Sequence, residues 1–466
     1  MPEKHLLSIF LLGSELRQFS HSGLFAQLLQ AGWQISVLSK IDDPELRAQL
    51  DPRITFEPMP VGKTGLLSAW LSTALDKAHA LRRLREGKSS WEYGVTNVKN
   101  WKEKLLVTSQ DGFARLLSHS APAARLLTGV EKWLIRRGNR SQWRQYLSEQ
   151  RISAVLVNLP RQPYWDGLLA TAEEMGIATY LIYHTWKDVT AAGRLHHRWT
   201  GIGVWNSGMK TSLLAQNPWL DAGTVRIVGC GHFDCIGRKD WLPDEPEYRA
   251  SIGALPDSAL ILYPTSGPGI IPEEERYIAQ AMEALRIAEE RLRRPLQMVF
   301  RMNPMDDNSG LEGRLRSLYP EHIVLHPDWV YIRKKNWCYG RKVDTSAYNA
   351  LLLYAAACVC IPSTVTVDSA IVDLPVINLG IEVEGKQPLA GSLRAFWDAE
   401  FYGNVRETGA ADWATTVDEL ADRLVALIND RSINREQRQA LVQREVEGIL
   451  PGQSSERTCA LINGQA

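Results

Sequence analysis

Residues 357–378 set the terms for the rest of the chain. Ala357-Cys-Val-Cys-Ile361 is a continuous apolar run, and such runs belong to strands covered on both faces of a parallel sheet. Pro362-Ser363-Thr364 then turns the chain, a helix is expected over 365–372, and Leu374-Pro375-Val376-Ile377-Asn378 opens another strand. Such strand–turn–helix–strand units build α/β sheets. The hydroxyls of Ser363, Thr364 and Thr366 gather where the helix begins, beside backbone N–H groups and the positive end of the helix dipole, a seat for phosphate. The plainer reading is that Ser363 or Thr364 caps the helix.

The same alternation recurs on both sides. A strand at 6–12, a polar loop at 13–22, a helix at 23–31 stopped by Gly32, and strands at 32–38 and 54–59 form the first series. It resumes with strands at 152–158, 178–183, 201–205 and 225–229, with a polar loop at 184–198. The polar run 238–249, with Pro243 and Pro246, reads as a hinge. A second series follows: a strand at 259–263, a turn at 264–269, a helix at 272–291 and strands at 297–301 and 323–325. Residues 411–448 read as helical and 450–466 as a loose tail. The expected fold is therefore α/β with two facing Rossmann-like domains, at 1–237 and 238–430, followed by a helix and tail at 431–466. Ligands of such sheets lie beyond the carboxyl ends of the strands, here the loops at 13–22, 184–198, 264–269, 302–308 and 362–366.

Residues 64–150 interrupt the first domain as a helical insert. Between 78 and 151 there are fifteen Lys/Arg against six Asp/Glu, with the sharpest cluster at Lys132–Arg140. With tryptophans in the same segment, this suits contact with anionic lipid or a phosphate-bearing acceptor. The alternative is a solvated helix face with snorkelling basic side chains. The 466 residues carry no net charge, so no global field draws nucleic acid. None of the six cysteines has zinc-finger spacing, and they read as the reduced thiols of a cytoplasmic protein. No apolar run is long enough for a transmembrane helix.

Four stretches carry a family likeness: Ser14–Leu24; Trp186-Lys-Asp-Val-Thr-Ala-Ala-Gly-Arg194 with Val204-Trp205-Asn206; Val228-Gly-Cys-Gly-His-Phe-Asp234; and Ser363-Thr364-x-x-x-Asp368 with Leu374–Asn378. In order and spacing the chain resembles two-domain glycosyltransferases of the GT-B fold, nearest to branches with capsule-synthesis-like or CDP-glycerol-transferase-like C-terminal halves. It departs from them at Lys187 (usually Asp), Asp188 (usually Asn) and Gly231 (usually Pro). Asn303 also stands where an Arg-x-His-Pro-x-Asp pattern has His.

The resemblance implies a sugar transfer that uses no cofactor and no metal, from a nucleotide-sugar donor to a glycan or lipid-linked acceptor. No Asp-x-Asp pair stands at a strand end, and Met305-Asp306-Asp307 reads as a loop cap. For donor binding the candidates are Thr265, Ser266 and Gly267 in a Gly/Pro turn, Arg301 and Asn303 at a strand end, and Ser363, Thr364 and Asp368. Asp368 suits either a ribose hydroxyl or support of the Ser-Thr turn, and Arg301 either a phosphate or a surface ion pair. An inverting mechanism needs a general base; His21 is the first candidate, then Asp188 and His184, while Arg17 suits a phosphate on acceptor or donor. A polyol-phosphate transferase, a sugar-nucleotide epimerase of the same architecture and a non-catalytic scaffold are the competing readings.

Overall fold

Two separate parallel sheets organise the computed structural model, which describes residues 4–60, 65–88, 100–137, 140–162, 165–192, 194–267, 269–305, 310–332, 337–449 and 452–465. One unit comprises Met1–Leu11, Gln18–Gly231 and Gly452–Ala466; the other comprises Leu12–Arg17 and His232–Pro451.

The first unit carries β1 (His5–Phe10), β2 (Gln34–Ser39), β3 (Thr55–Pro58), β4 (Ala154–Val157), β5 (Ala178–Ile182), β6 (Gly201–Val204) and β7 (Val225–Ile227). Every pairing is parallel and the order is β3-β2-β1-β4-β5-β6-β7. Strand order thus reverses between β1 and β4. All four residues of β4 are buried, as its unbroken Ala-Val-Leu-Val requires when helices cover both faces.

The insert is helical as expected: Leu66–Arg85, Trp101–Ser118, Ala121–Arg137 and Arg140–Glu149. Leu71, Leu75, Ala78, Ala114, Leu117 and Ala124 form its core. Trp91, in the same segment, lies outside the described residues. The chain end differs from the expected loose tail. Helix Gln453–Ile462 buries Ser454, Ser455, Thr458, Leu461 and Ile462 and belongs to the first unit. Leu461 lies where a side chain at Gly201 would stand, and Tyr180 donates from its hydroxyl to the Ile462 carbonyl at 3.1 Å.

The second unit carries β8 (Ala259–Pro264), β9 (Leu296–Arg301), β10 (Ile323–Leu325), β11 (Trp329–Ile332), β12 (Trp337–Gly340), β13 (Ala357–Cys360), β14 (Val376–Leu379) and β15 (Ala411–Ala414). Its parallel sheet runs β10-β9-β8-β13-β14-β15, and β11 and β12 form a separate antiparallel pair. Order reverses between β8 and β13, so the turns at 265–267 and 362–364 leave the carboxyl ends of adjacent strands. β15 corrects the reading of 411–448 as wholly helical: four residues, Ala411–Ala414, pair with β14, too short a run to show a strand period. The expected hinge at 238–249 is also tied down. Tyr354 donates to the Pro243 carbonyl at 2.7 Å, Lys342 lies 4.6 Å over the Trp241 ring, and a helix begins at Glu245. The contact boundary falls instead between Gly231 and His232.

Candidate functional site

The strand-order reversal of the second unit is where a doubly wound sheet opens a crevice. At the end of β13, Thr364 is the N-cap of a seven-residue helix, Val365–Ile371, and makes no side-chain capping bond. Thr366 is spent inside: its hydroxyl meets that of Tyr402 at 2.6 Å, and Tyr402 donates to Asn378 Oδ1 at 2.5 Å. Ser363 and Thr364 are half-buried and their hydroxyls have no partner among the described residues. The capping reading of this pair therefore fails, and two hydroxyls remain available at the turn.

Asp368, one turn further on, is buried and held from two sides. His232 Nε2 lies 2.9 Å from its Oδ1, and Tyr348 donates to its Oδ2 at 2.9 Å. A carboxylate can only accept, so the His232 proton sits on Nε2 and Nδ1 keeps its lone pair. Nδ1 is buried without a hydrogen-bond partner. Burial first, and the nearby Arg17 cation second, lower the His232 pKa from its usual value near 6.5; the imidazole is neutral at neutral pH. Asp368 thus serves a histidine rather than supporting the Ser-Thr turn directly. Arg17, half-buried, makes no hydrogen bond or ion pair with any described residue. Its charge is felt by His232 and by Cys235, whose thiol burial pushes up to about 12.

Arg301, expected as a phosphate-neutralising cation or a surface ion pair, makes an ion pair that is largely buried. Its Nη2 reaches both Asp344 oxygens at 2.8 and 2.9 Å, and its guanidinium lies 4.9 Å over the Tyr348 ring. Asp344 also accepts from the Asp328 N–H and the Trp329 indole. Arg301 therefore braces the Tyr348–Asp368–His232 line from behind. The turn after β8 is similarly committed. Thr265 Oγ1 accepts from the Asn303 N–H at 2.8 Å. Ser266 donates its N–H at 2.9 Å and its hydroxyl at 3.1 Å to Glu274. The buried Glu274 carboxylate thus takes both the N–H and the hydroxyl that Ser266 was expected to offer a diphosphate, while Thr265 braces the start of the Asn303 turn. A Cβ at Gly267 would stand 3.2 Å from Ile270 Cδ1 and in ordinary contact with the Asn303 amide. Asn303 Oδ1 accepts from the Met305 N–H at 2.9 Å, a tight turn that replaces any histidine contact. Asp306 and Asp307 lie outside the described residues.

The base candidates of the first unit sit at the carboxyl ends of β1 and β5. The expected polar loop after β1 is instead a buried π-helical turn, Leu16–His21, with Leu16 and Phe19 fully buried. π-Turns of this kind concentrate at functional sites. Gln18 donates to the Tyr183 carbonyl at 3.2 Å, which brings the two loops side by side. His21 closes the turn. Asp188 Oδ2 accepts from the Thr185 N–H at 2.9 Å and so stabilises the loop that carries His184. Nor is the 184–198 loop an exposed polar one: Trp186, Val189, Leu195, His196 and His197 are buried. Arg194 ties it to the insert, reaching Glu131 at 2.8 Å and Asp76 at 2.7 Å.

His232 was missed by sequence reasoning because its partner is 136 positions away; its place in Val228–Asp234 was the available signal. Asn158, ending β4 at the reversal of the first sheet, was missed as well. It is fully buried with both amide atoms unpartnered. Gly231, which departs from the usual Pro, has a local reason. A Cβ there would lie 2.4 Å from the Gln18 carbonyl oxygen.

No protein-family model matches the chain, and no curated protein matches its sequence. Solved structures do match. UDP-GlcNAc 2-epimerase from Neisseria meningitidis, bound to UDP-GlcNAc, superposes with a TM-score of 0.56 at 11% identity, covering 99% of this chain and 100% of that one. The UDP-GlcNAc 2-epimerase from Methanocaldococcus jannaschii gives 0.54 at 11%, covering 99% of both chains. A variant of the wall teichoic acid polymerase TagF gives 0.53 at 11%, covering all of this chain and 89% of that one. At such identities the likeness is one of fold. The chain has the two Rossmann-like α/β domains of GT-B-type enzymes, with parallel sheets of seven and six strands.

Proposed function

We propose that the protein is a glycosyltransferase that moves a sugar from a nucleotide-activated donor to a glycan or lipid-linked acceptor in surface polysaccharide synthesis. The observation that carries this reading is a neutral His232 oriented by Asp368 and near enough to Arg17 to feel its charge; Ser363 and Thr364, at the start of the helix that carries Asp368, have hydroxyls with no partner among the described residues. Arg17 and the hydroxyls suit the leaving nucleoside diphosphate, whose negative charge grows as the bond to the anomeric carbon breaks. His232 Nδ1 suits acceptance of the acceptor's hydroxyl proton, with Asp368 fixing the tautomer and steadying the imidazolium. This assignment moves the base from His21, Asp188 and His184 to His232. The transfer itself calls on no metal or cofactor.

The insert supports a lipid-linked acceptor. Trp101, Leu105, Leu116, Leu126 and Trp133 stay exposed on its helices, and Arg137 stacks 3.8 Å over the Trp133 ring. Apolar and aromatic groups beside basic ones suit the interface of an anionic bilayer. Among the described residues no helix is long and apolar enough to cross a membrane, so contact is peripheral in this reading.

A sugar-nucleotide epimerase is the second reading, favoured by the end-to-end match to two such enzymes. Incubation with a panel of UDP-, GDP-, CMP- and CDP-activated sugars and polyols separates the two. Slow donor hydrolysis, accelerated by a glycan or lipid-linked acceptor, supports transfer; interconversion of sugars without acceptor supports epimerisation. Turnover of an activated polyol alone moves the reading to a polyol-phosphate transferase. No binding or turnover across the panel overturns both enzymatic readings.

A further inference from the structure

Away from the β13 crevice, the first unit buries a cluster that the transfer reaction does not use. Asp166 opens the helix Asp166–Met175, and His196 and His197 lie on the segment that leads into β6. Their exposures are 2%, 2% and 4%. One ligand atom from each lies within 4.8 Å of the others. Asp166 Oδ1 stands 3.7 Å from His196 Nε2 and 3.6 Å from His197 Nε2, and the two rings meet at 4.2 Å between centroids.

These separations are too long for hydrogen bonds. Both nitrogens of His196 and Nε2 of His197 have no hydrogen-bond partner among the described residues. Buried polar atoms are rarely left so, and two imidazole nitrogens facing one carboxylate oxygen, which itself accepts only the Gln162 N–H at 3.2 Å among the described residues, ask for something between them. A tetrahedral ion with ligands about 2.0–2.1 Å away holds those ligands roughly 3.3–3.4 Å apart. The two carboxylate–imidazole gaps need to contract by only a few tenths of an ångström, and the imidazole nitrogens, within 4.8 Å of each other, draw together on the ion. Two imidazole nitrogens with one carboxylate oxygen is a donor set suited to first-row transition ions rather than to calcium or magnesium.

We propose that Asp166, His196 and His197 bind a divalent transition-metal ion of the zinc type, with water as fourth ligand, at a structural site distinct from the transfer chemistry. The ion fastens the helix after β4 to the segment before β6. That segment carries Arg194, which grips Glu131 and Asp76 of the insert, so the same ion steadies the insert's seat. Metal was not expected from the sequence, since its ligands follow no Cys/His spacing and are gathered only by the sheet.

The test uses the untagged full chain. Metal analysis after growth with added zinc is expected to find one zinc per chain, and chelation to lower the melting temperature by several degrees, restored by zinc but not magnesium. Cobalt(II) exchanged into the apo-protein is expected to give the visible bands of a tetrahedral site, lost in His197→Gln. If that variant does not fold, the chelation and cobalt results on the wild-type chain decide alone. A chain that retains no metal, with melting indifferent to zinc and chelator, overturns the site. In that case the trio is a buried histidine–carboxylate cluster that holds no ion. Donor hydrolysis that survives chelation at low temperature separates this site from the proposed transfer activity.

Discussion

His232 and Asp368 stand 2.9 Å apart, Nε2 to Oδ1, although 136 positions separate them. Tyr348 holds the other carboxylate oxygen, so the imidazole is fixed in both orientation and tautomer. If it is the base, His232→Ala lowers kcat for sugar transfer by about 10²–10⁴-fold. Asp368→Asn keeps the shape but allows the wrong tautomer, and lowers kcat with little change in the donor's KM. Steady-state kinetics on both variants, beside His21→Ala, provide the check. A larger loss in His21→Ala returns the role to the β1 loop.

Arg17 gives that base a pH signature. Its positive charge, after burial, is the second cause holding the His232 pKa below 6.5. A base is lost on protonation, so kcat/KM stays level through neutral pH and falls only below that value. Arg17→Gln removes the opposing charge; the His232 pKa rises, and the acid limb of the profile moves to higher pH. The same variant weakens donor or nucleoside diphosphate binding, more at low salt than at high. An acid limb that does not move shows that Arg17 and His232 do not act together.

Ser363 and Thr364 are tested by what they leave unchanged. Without a side-chain bond at the N-cap, Ser363→Ala with Thr364→Ala alters stability by less than about 0.5 kcal/mol, while donor affinity falls. Thr366→Val is the contrast. It strips the Tyr402 hydroxyl of a buried partner at 2.6 Å and costs about 1–3 kcal/mol. Thermal melts and donor titrations on the two variants read this directly.

Much of the fold was legible because parallel strands are buried on both faces: Ala357–Cys360 and Ala154–Val157 are apolar at every position. Short elements were not. Ala411–Ala414 and the Trp329–Ile332 hairpin strand have four residues each and are fixed by pairing rather than composition. At the site, the turn residues named from the sequence do stand at strand ends, but their surroundings depend on partners far off in sequence. Glu274 occupies the donors of Ser266, Asp344 takes the charge of Arg301, and Asp368 makes His232 a candidate. None of those pairings leaves a mark in local spacing.

Arg194 and Glu131 form a buried pair whose cost appears when it is broken. Burial alone would raise the Glu131 pKa, yet the hydrogen bonds and charge of Arg194 hold it at about 2 against an ordinary 4.5. A depressed folded-state pKa adds stability that is whole above pH 4.5 and is lost as pH falls from there towards 2. Over that window the contribution is on the order of 3 kcal/mol. Glu131→Ala leaves the Arg194 charge buried beside Asp76 alone and costs about 3–5 kcal/mol at neutral pH. Denaturant unfolding of wild type and variant between neutral and acid pH checks both, since the difference between them shrinks as pH drops.

Two glycines separate crowding from propensity. At Gly231 a methyl group would stand 2.4 Å from the backbone oxygen of Gln18 and 3.3 Å from the Ser22 Cβ. Backbone cannot swing aside as a side-chain tip does, so the turn at the end of the first unit must shift. Gly231→Ala is expected to lose on the order of 2–4 kcal/mol, and the Pro usual in similar sequences brings the same Cβ to the same oxygen. Gly112, inside the helix Trp101–Ser118, has open space where its Cβ would go. Gly112→Ala there gains up to about 1 kcal/mol from helix propensity alone. Opposite signs in paired chemical denaturation curves uphold the close approach of Gly231 to the π-helical turn; a neutral Gly231→Ala shows that the turn has room the structure denies it.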